Sequence, residues 1–82
     1  MAKLENILSS ILRGASDYNI AFSDLRHLLE SLGFVVRIKG DHFIYTKSDV
    51  VEIINIQPVG NKAKAYQIKQ VRNLILKYKL VR

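Results

Sequence analysis

Residues 34–47 read F-V-V-R-I-K-G-D-H-F-I-Y-T-K, and the fold follows from how this stretch is divided. Phe34, Val36 and Ile38 alternate with Val35, Arg37 and Lys39, the period-two pattern of a strand with one buried face. Gly40-Asp41 is turn chemistry, and His42 to Thr46 returns as a second strand. Lys47-Ser48-Asp49 makes a second turn, and Val50 to Gln57 a third strand that Pro58 and Gly60-Asn61 end. Three strands joined by short turns make an antiparallel meander. The third strand has no evident register, because Val50, Val51, Ile53, Ile54 and Ile56 put apolar side chains on both faces.

On either side the period changes to that of a helix. Upstream, Leu4, Ile7, Leu8, Ile11 and Leu12 predict a helix over about 3–13, stopped at Gly14, with a connector from Ala15 to Ala21. Ser23 is suited to cap a second helix over about 24–32, with Asp24 at its positive end. Leu25, Leu28, Leu29 and Leu32 form its stripe, and Gly33 ends it. Downstream, Ala65 to Lys79 is helical, with Tyr66, Ile68, Val71, Leu74, Ile75 and Tyr78 assigned to the core. The order α-α-β-β-β-α defines an α+β fold in which helices cover one face of the sheet.

The chain has 82 residues, enough for one domain with one core. It has no cysteine, so neither a disulfide framework nor a thiolate metal site is available. No apolar stretch approaches the roughly 18–20 residues of a membrane span, and Met1 to Arg13 lacks the charged-then-apolar order of a signal peptide. The expectation is a soluble, cytoplasmic protein with no membrane partner. The net charge of +6 is unevenly spread. Bases and acids cancel up to residue 49, after which Lys62, Lys64, Lys69, Arg72, Lys77, Lys79 and Arg82 face Glu52 alone. The electropositive part is the last third, and such a basic helix is as often only a solvated face as a binding surface.

The chemistry concentrates in the first hairpin. Histidine changes charge near neutrality and suits proton transfer, and His42 opens the second strand. Gly40 leaves room for a phosphate backbone, Lys39 adds a cation, and Asp41 is an orienting carboxylate. A single strand histidine is more often structural than catalytic, and Gly-Asp turns are common in hairpins. His27 falls on the polar side of its helix and reads as a surface residue. Tyr18, Tyr45, Tyr66 and Tyr78 are able to stack on bases, although Tyr66 and Tyr78 fall on the core stripe. No spacing of His or acidic residues suits a metal, and no glycine-rich loop joins a strand to a helix, so neither a metal nor a small-molecule cofactor is expected.

Taken together, F-S-D-L-R-H-L-L-E-S-L-G-F, R-I-K-G-D-H-F-I-Y and I-I-N-I-Q-P-V-G-N-K-A-K-A-Y-Q-I-K-Q-V-R-N-L-I-L-K-Y resemble the HicA family of messenger-RNA interferase toxins. The resemblance runs from about Phe22 to Tyr78 and is strongest at Lys39, Gly40, Asp41 and His42, the Lys-Gly-x-His turn in which the family's histidine is catalytic. It implies an α-β-β-β-α core over residues 22–80, like the double-stranded-RNA-binding domain, with residues 1–21 as an N-terminal addition. It also implies cleavage of messenger RNA, arrest of growth, and neutralisation by a HicB-like antitoxin. Two positions depart from the pattern. Asp41 stands where a small Ser or Gly is common, and its carboxylate both repels a phosphate and stabilises a protonated imidazole. Phe43 stands where a second histidine is frequent.

The expected reaction is attack of the RNA 2′-hydroxyl on the adjacent phosphorus, with His42 moving a proton and Lys39, Tyr45 or water as its partner. Lys62, Lys64, Lys69 and Arg72 are the expected phosphate contacts, together with Lys39 and Gly40 at the turn. About four contacts to single-stranded RNA give a log–log salt slope of about −3. The rival readings are a non-catalytic RNA-binding module of the same fold and an interaction protein whose basic helix docks on an acidic partner.

Overall fold

Two short turns leave the strands no choice but to pair with their sequence neighbours. In the computed structural model, which describes residues 2–80, the chain runs α1 (Ala2–Arg13), a 3-10 turn (Asp17–Asn19), α2 (Phe22–Ser31), β1 (Val35–Lys39), β2 (His42–Lys47), β3 (Val50–Ile56) and α3 (Ala65–Tyr78). The antiparallel sheet has the order β1-β2-β3. Arg82, counted above in the basic last third, lies outside the described residues. Among the described residues no helix is long and apolar enough to cross a membrane.

The register decides which side chains share a face. Lys39 pairs with His42, Ile38 with Phe43 and Val36 with Tyr45. Phe43 pairs with Ile56 and Tyr45 with Ile54. Alternation then puts Val36, Ile38, Phe43, Tyr45, Ile54 and Ile56 on one face, and Arg37, Lys39, His42, Ile44 and Asn55 on the other. The helices cover the first face. Phe22, Leu25, Leu28 and Leu29 of α2 and Ile68, Val71, Leu74 and Ile75 of α3 form one buried cluster with Tyr45, Ile54 and Ile56. Ile7 and Ile11 of α1 belong to the same cluster, so the N-terminal helix is part of the core. Among the described residues the second face carries no helix, and Val35, Val51 and Ile53 are exposed there.

The ambiguous third strand is resolved by a break in its ladder. Between the pairs Tyr45–Ile54 and Lys47–Val50, Thr46 alone faces Val51, Glu52 and Ile53, the mark of a bulge. Val50, Ile54 and Ile56 turn inward, while Val51 and Ile53 turn out.

Several expectations are corrected. α2 begins at Phe22, one turn position ahead of Ser23, and its N-cap is Ala21 without a side-chain bond. The cause is tertiary: Ala21 bridges Lys62, and the Phe22 N–H donates to the Asn61 carbonyl at 2.9 Å, so a distant loop satisfies the helix start. Leu32 is the C-cap rather than a helical residue, and Gly33 takes a φ of 97°. Ile38 faces the helix side yet is 53% exposed, because β1 is an edge strand. Tyr66 is 64% exposed rather than in the core. It lies about 200° around the helix from Ile68, on which the buried stripe is centred.

Candidate active site

The Gly40-Asp41 turn delivers His42 to the end of the open face. Gly40 has a φ of 60° while Asp41 keeps an ordinary negative φ, the arrangement of a two-residue hairpin with glycine first. A Cβ placed on Gly40 would meet nothing within 4 Å. Glycine is therefore required by the backbone conformation, and the space above it is open. Lys39 and His42 flank the turn as cross-strand partners, with Cβ atoms about 4.5–5.5 Å apart in such pairs.

The imidazole is 48% exposed, and each ring nitrogen has a polar neighbour. Nδ1 lies 3.3 Å from Asn55 Oδ1, and Nε2 lies 3.6 Å from Asp41 Oδ1. With the Nδ1 proton given to the Asn55 oxygen, Nε2 is the nitrogen left to exchange protons with a ligand. A further chain of contacts leads away from Asp41. Gln57 Nε2 donates to Asp41 Oδ2 at 2.7 Å, and Lys64 Nζ donates to Gln57 Oε1 at 3.4 Å. The Gln57 bond, helped by the turn's backbone N–H and by the charges of His42 and Lys64, holds the Asp41 carboxyl below the usual carboxylate range. The Asp41 carboxylate thus accepts from a neutral side chain, with the Lys64 ammonium one contact further on.

The expected phosphate contacts separate. Lys39, Gly40 and His42 come together, and Lys64 joins them through Gln57 and Asp41. Lys62 Nζ donates to Asn19 Oδ1 at 3.0 Å beside the start of α2. Lys69 is exposed on α3, and among the described residues neither it nor Lys39 forms an ion pair. Arg72 is not on an exposed face. Its Nη1 and Nη2 hold the Asp17 carboxylate at 2.9 and 3.1 Å, Nη1 also donates to the Ile11 carbonyl at 3.1 Å, and the two side chains are only 17% and 15% exposed. Arg72 ties the end of α1 and the 3-10 turn to α3, which removes it from the phosphate contacts.

Tyr45 is also removed as a proton partner. It is fully buried on the helix side, where its hydroxyl accepts from Arg26 Nε at 2.9 Å and donates to Glu30 Oε2 at 3.0 Å. Burial pushes its pKa up. His27 is exposed on α2. Phe43 packs edge-on against Phe22, with ring centres 5.1 Å apart, beneath the Arg26 guanidinium.

Asn55 and Gln57 were missed in the sequence. The available signal was local: Asn55 is a neutral polar residue between Ile54 and Ile56, and Gln57 lies two positions on, so both share the parity of the open face. Among the described residues no three of His, Cys, Asp or Glu converge as a metal site. The chain matches no family model, no curated protein and no solved structure.

Proposed function

We propose that this chain is an endoribonuclease of the HicA kind, a toxin that cleaves messenger RNA in the cytoplasm and is neutralised by a HicB-like antitoxin. The reading rests on one observation beyond the resemblance: an exposed imidazole, anchored through Nδ1 by Asn55, directly across a hairpin from Lys39 and above an open glycine. The helix order around the three-stranded sheet is compatible with the α-β-β-β-α core of a double-stranded-RNA-binding domain, and we assign the fold to that type.

In the proposed reaction, His42 Nε2 takes the proton of the ribose 2′-hydroxyl. The 2′-oxygen bonds to the adjacent phosphorus, and the bond from phosphorus to the 5′-oxygen breaks. The leaving oxygen takes a proton from Lys39 or from water, giving a 2′,3′-cyclic phosphate and a 5′-hydroxyl. Lys39 and Lys64 offset the phosphate charge. A base of this kind supplies typically about 10²- to 10⁴-fold, which makes a slow nuclease, sufficient for a toxin. No metal takes part in these steps, so cleavage persists in a chelator.

The test is a defined RNA compared with the same strand carrying one 2′-deoxy nucleotide at the cut position. The RNA is cut to a cyclic phosphate end and the substituted strand survives; cutting of both overturns the mechanism. With Arg72 committed to Asp17, three of the four lysine and arginine contacts remain, and the salt slope of RNA binding falls to about −2. A second reading is favoured by the Asp41 carboxylate at 3.6 Å from Nε2, which competes with substrate for that nitrogen: a module that binds RNA without cutting it. On a gel such a module retards RNA and leaves its length unchanged.

A further inference from the structure

Tyr66 stands in the first turn of α3 and is 64% exposed. Its surroundings set it apart from the other exposed apolar side chains. Lys64 Nζ stands 5.9 Å from the ring centre, Lys69 lies one turn further along the helix, and α3 carries no carboxylate. Tyr18 is also exposed but follows Asp17, whose carboxylate is paired with Arg72. Val35, Val51 and Ile53 lie on the open sheet face without a flanking feature that identifies what covers them.

Lys64 also connects Tyr66 to the hairpin. From its ammonium the contacts run through Gln57 and Asp41 to His42, so the ring sits at the end of the sheet that presents the imidazole. A flat aromatic face between cations is the surface that single-stranded nucleic acid uses, with phosphates on the charges and a base on the ring.

We propose that Tyr66 is a base-stacking subsite that holds a nucleobase of single-stranded RNA within a few nucleotides of the phosphate at His42. The inference rests on the ribonuclease reading and adds to it a residue that grips the base rather than the backbone. Stacking tolerates any base, so the subsite contributes affinity with little sequence preference.

The chain has no tryptophan, which makes Tyr66→Trp a specific probe. With a short 2′-O-methyl RNA, which lacks the attacking hydroxyl, the tryptophan emission is quenched on binding. Tyr66→Ala weakens that binding about 5- to 100-fold, and Tyr66→Phe retains it. Inorganic polyphosphate, which has charge and no bases, binds wild type and Tyr66→Ala equally. If the oligonucleotide binds with unaltered emission and Tyr66→Ala matches wild type, the subsite is overturned while the RNA reading stands. Equal weakening toward polyphosphate overturns stacking in favour of charge. If wild type neither binds nor cuts RNA, the ribonuclease reading falls and the subsite with it.

Discussion

His42 and Tyr45 stand three residues apart on β2, and each anchors a hydrogen-bonded cluster on its own side of the sheet. On the covered side, the buried Tyr45 hydroxyl joins Arg26 and Glu30, whose charged ends reach the surface, with the Arg26 guanidinium 4.6 Å from the centre of the Phe43 ring. On the open side, His42 contacts Asn55 at 3.3 Å and lies 3.6 Å from Asp41, which Gln57 links to Lys64, all at the surface. The two sets have different consequences because water replaces a lost partner at the half-exposed imidazole and does not reach the buried Tyr45. The covered cluster couples α2 to the sheet. The open one orients groups and leaves them free to meet a ligand.

The comparison is broken or sharpened first at His42. His42→Ala is expected to lower RNA cleavage by about 10²- to 10⁴-fold with no change in urea midpoint. Loss of folding with activity would mean that the open cluster is structural after all. Next in size is Tyr45→Ala, which removes a fully buried aromatic ring and leaves Arg26 and Glu30 without their phenol. It is expected to cost about 3–5 kcal/mol in urea denaturation, and a cost below about 1 kcal/mol would erase the distinction between the two faces.

Arg72→Ala tests a second contrast, between two basic residues of the same stretch. Removing Arg72, which leaves the largely buried Asp17 carboxylate unpaired, is expected to cost about 1–3 kcal/mol and to leave RNA affinity unchanged, whereas Lys64→Ala is expected to weaken RNA binding and leave the urea midpoint where it was. An interchange of these two outcomes would place Arg72 back among the phosphate contacts.

The smallest effect is expected at Glu52, which accepts from Lys77 Nζ at 2.7 Å and from the Tyr78 hydroxyl at 2.6 Å. These bonds, Lys77 first, push its carboxyl down to about 2 from an ordinary 4.5. The folded pKa lies below the unfolded one, so the contribution to stability is full above about pH 4.5 and is lost as pH falls toward 2. The stabilities of wild type and Glu52→Gln are expected to converge across that window, and added salt shrinks the gap at neutral pH. A gap that does not vary with pH would show that the ion pair does not contribute to folding.

The element order, the Gly40-Asp41 turn and the place of His42 beside it were legible from residues 1–82 alone, because helix and strand periods and glycine turns are encoded within a few neighbouring positions. The destination of each side chain was not. Lys64 and Arg72 look alike in a basic stretch, yet Arg72 is consumed by Asp17, 55 positions away in the chain, and Lys64 is drawn to the hairpin through Gln57. Tyr66 looked like core until the buried stripe of α3 settled on Ile68 and Val71. Ser23 looked like a cap until the loop at Asn61 satisfied the start of α2 instead. The sequence by itself determined which segments are helix or strand and where the chain turns. Only the tertiary structure decided which face is covered, which charges are spent on other parts of the chain and which remain free. Those outcomes depend on contacts between distant segments, for which no local period carries a signal.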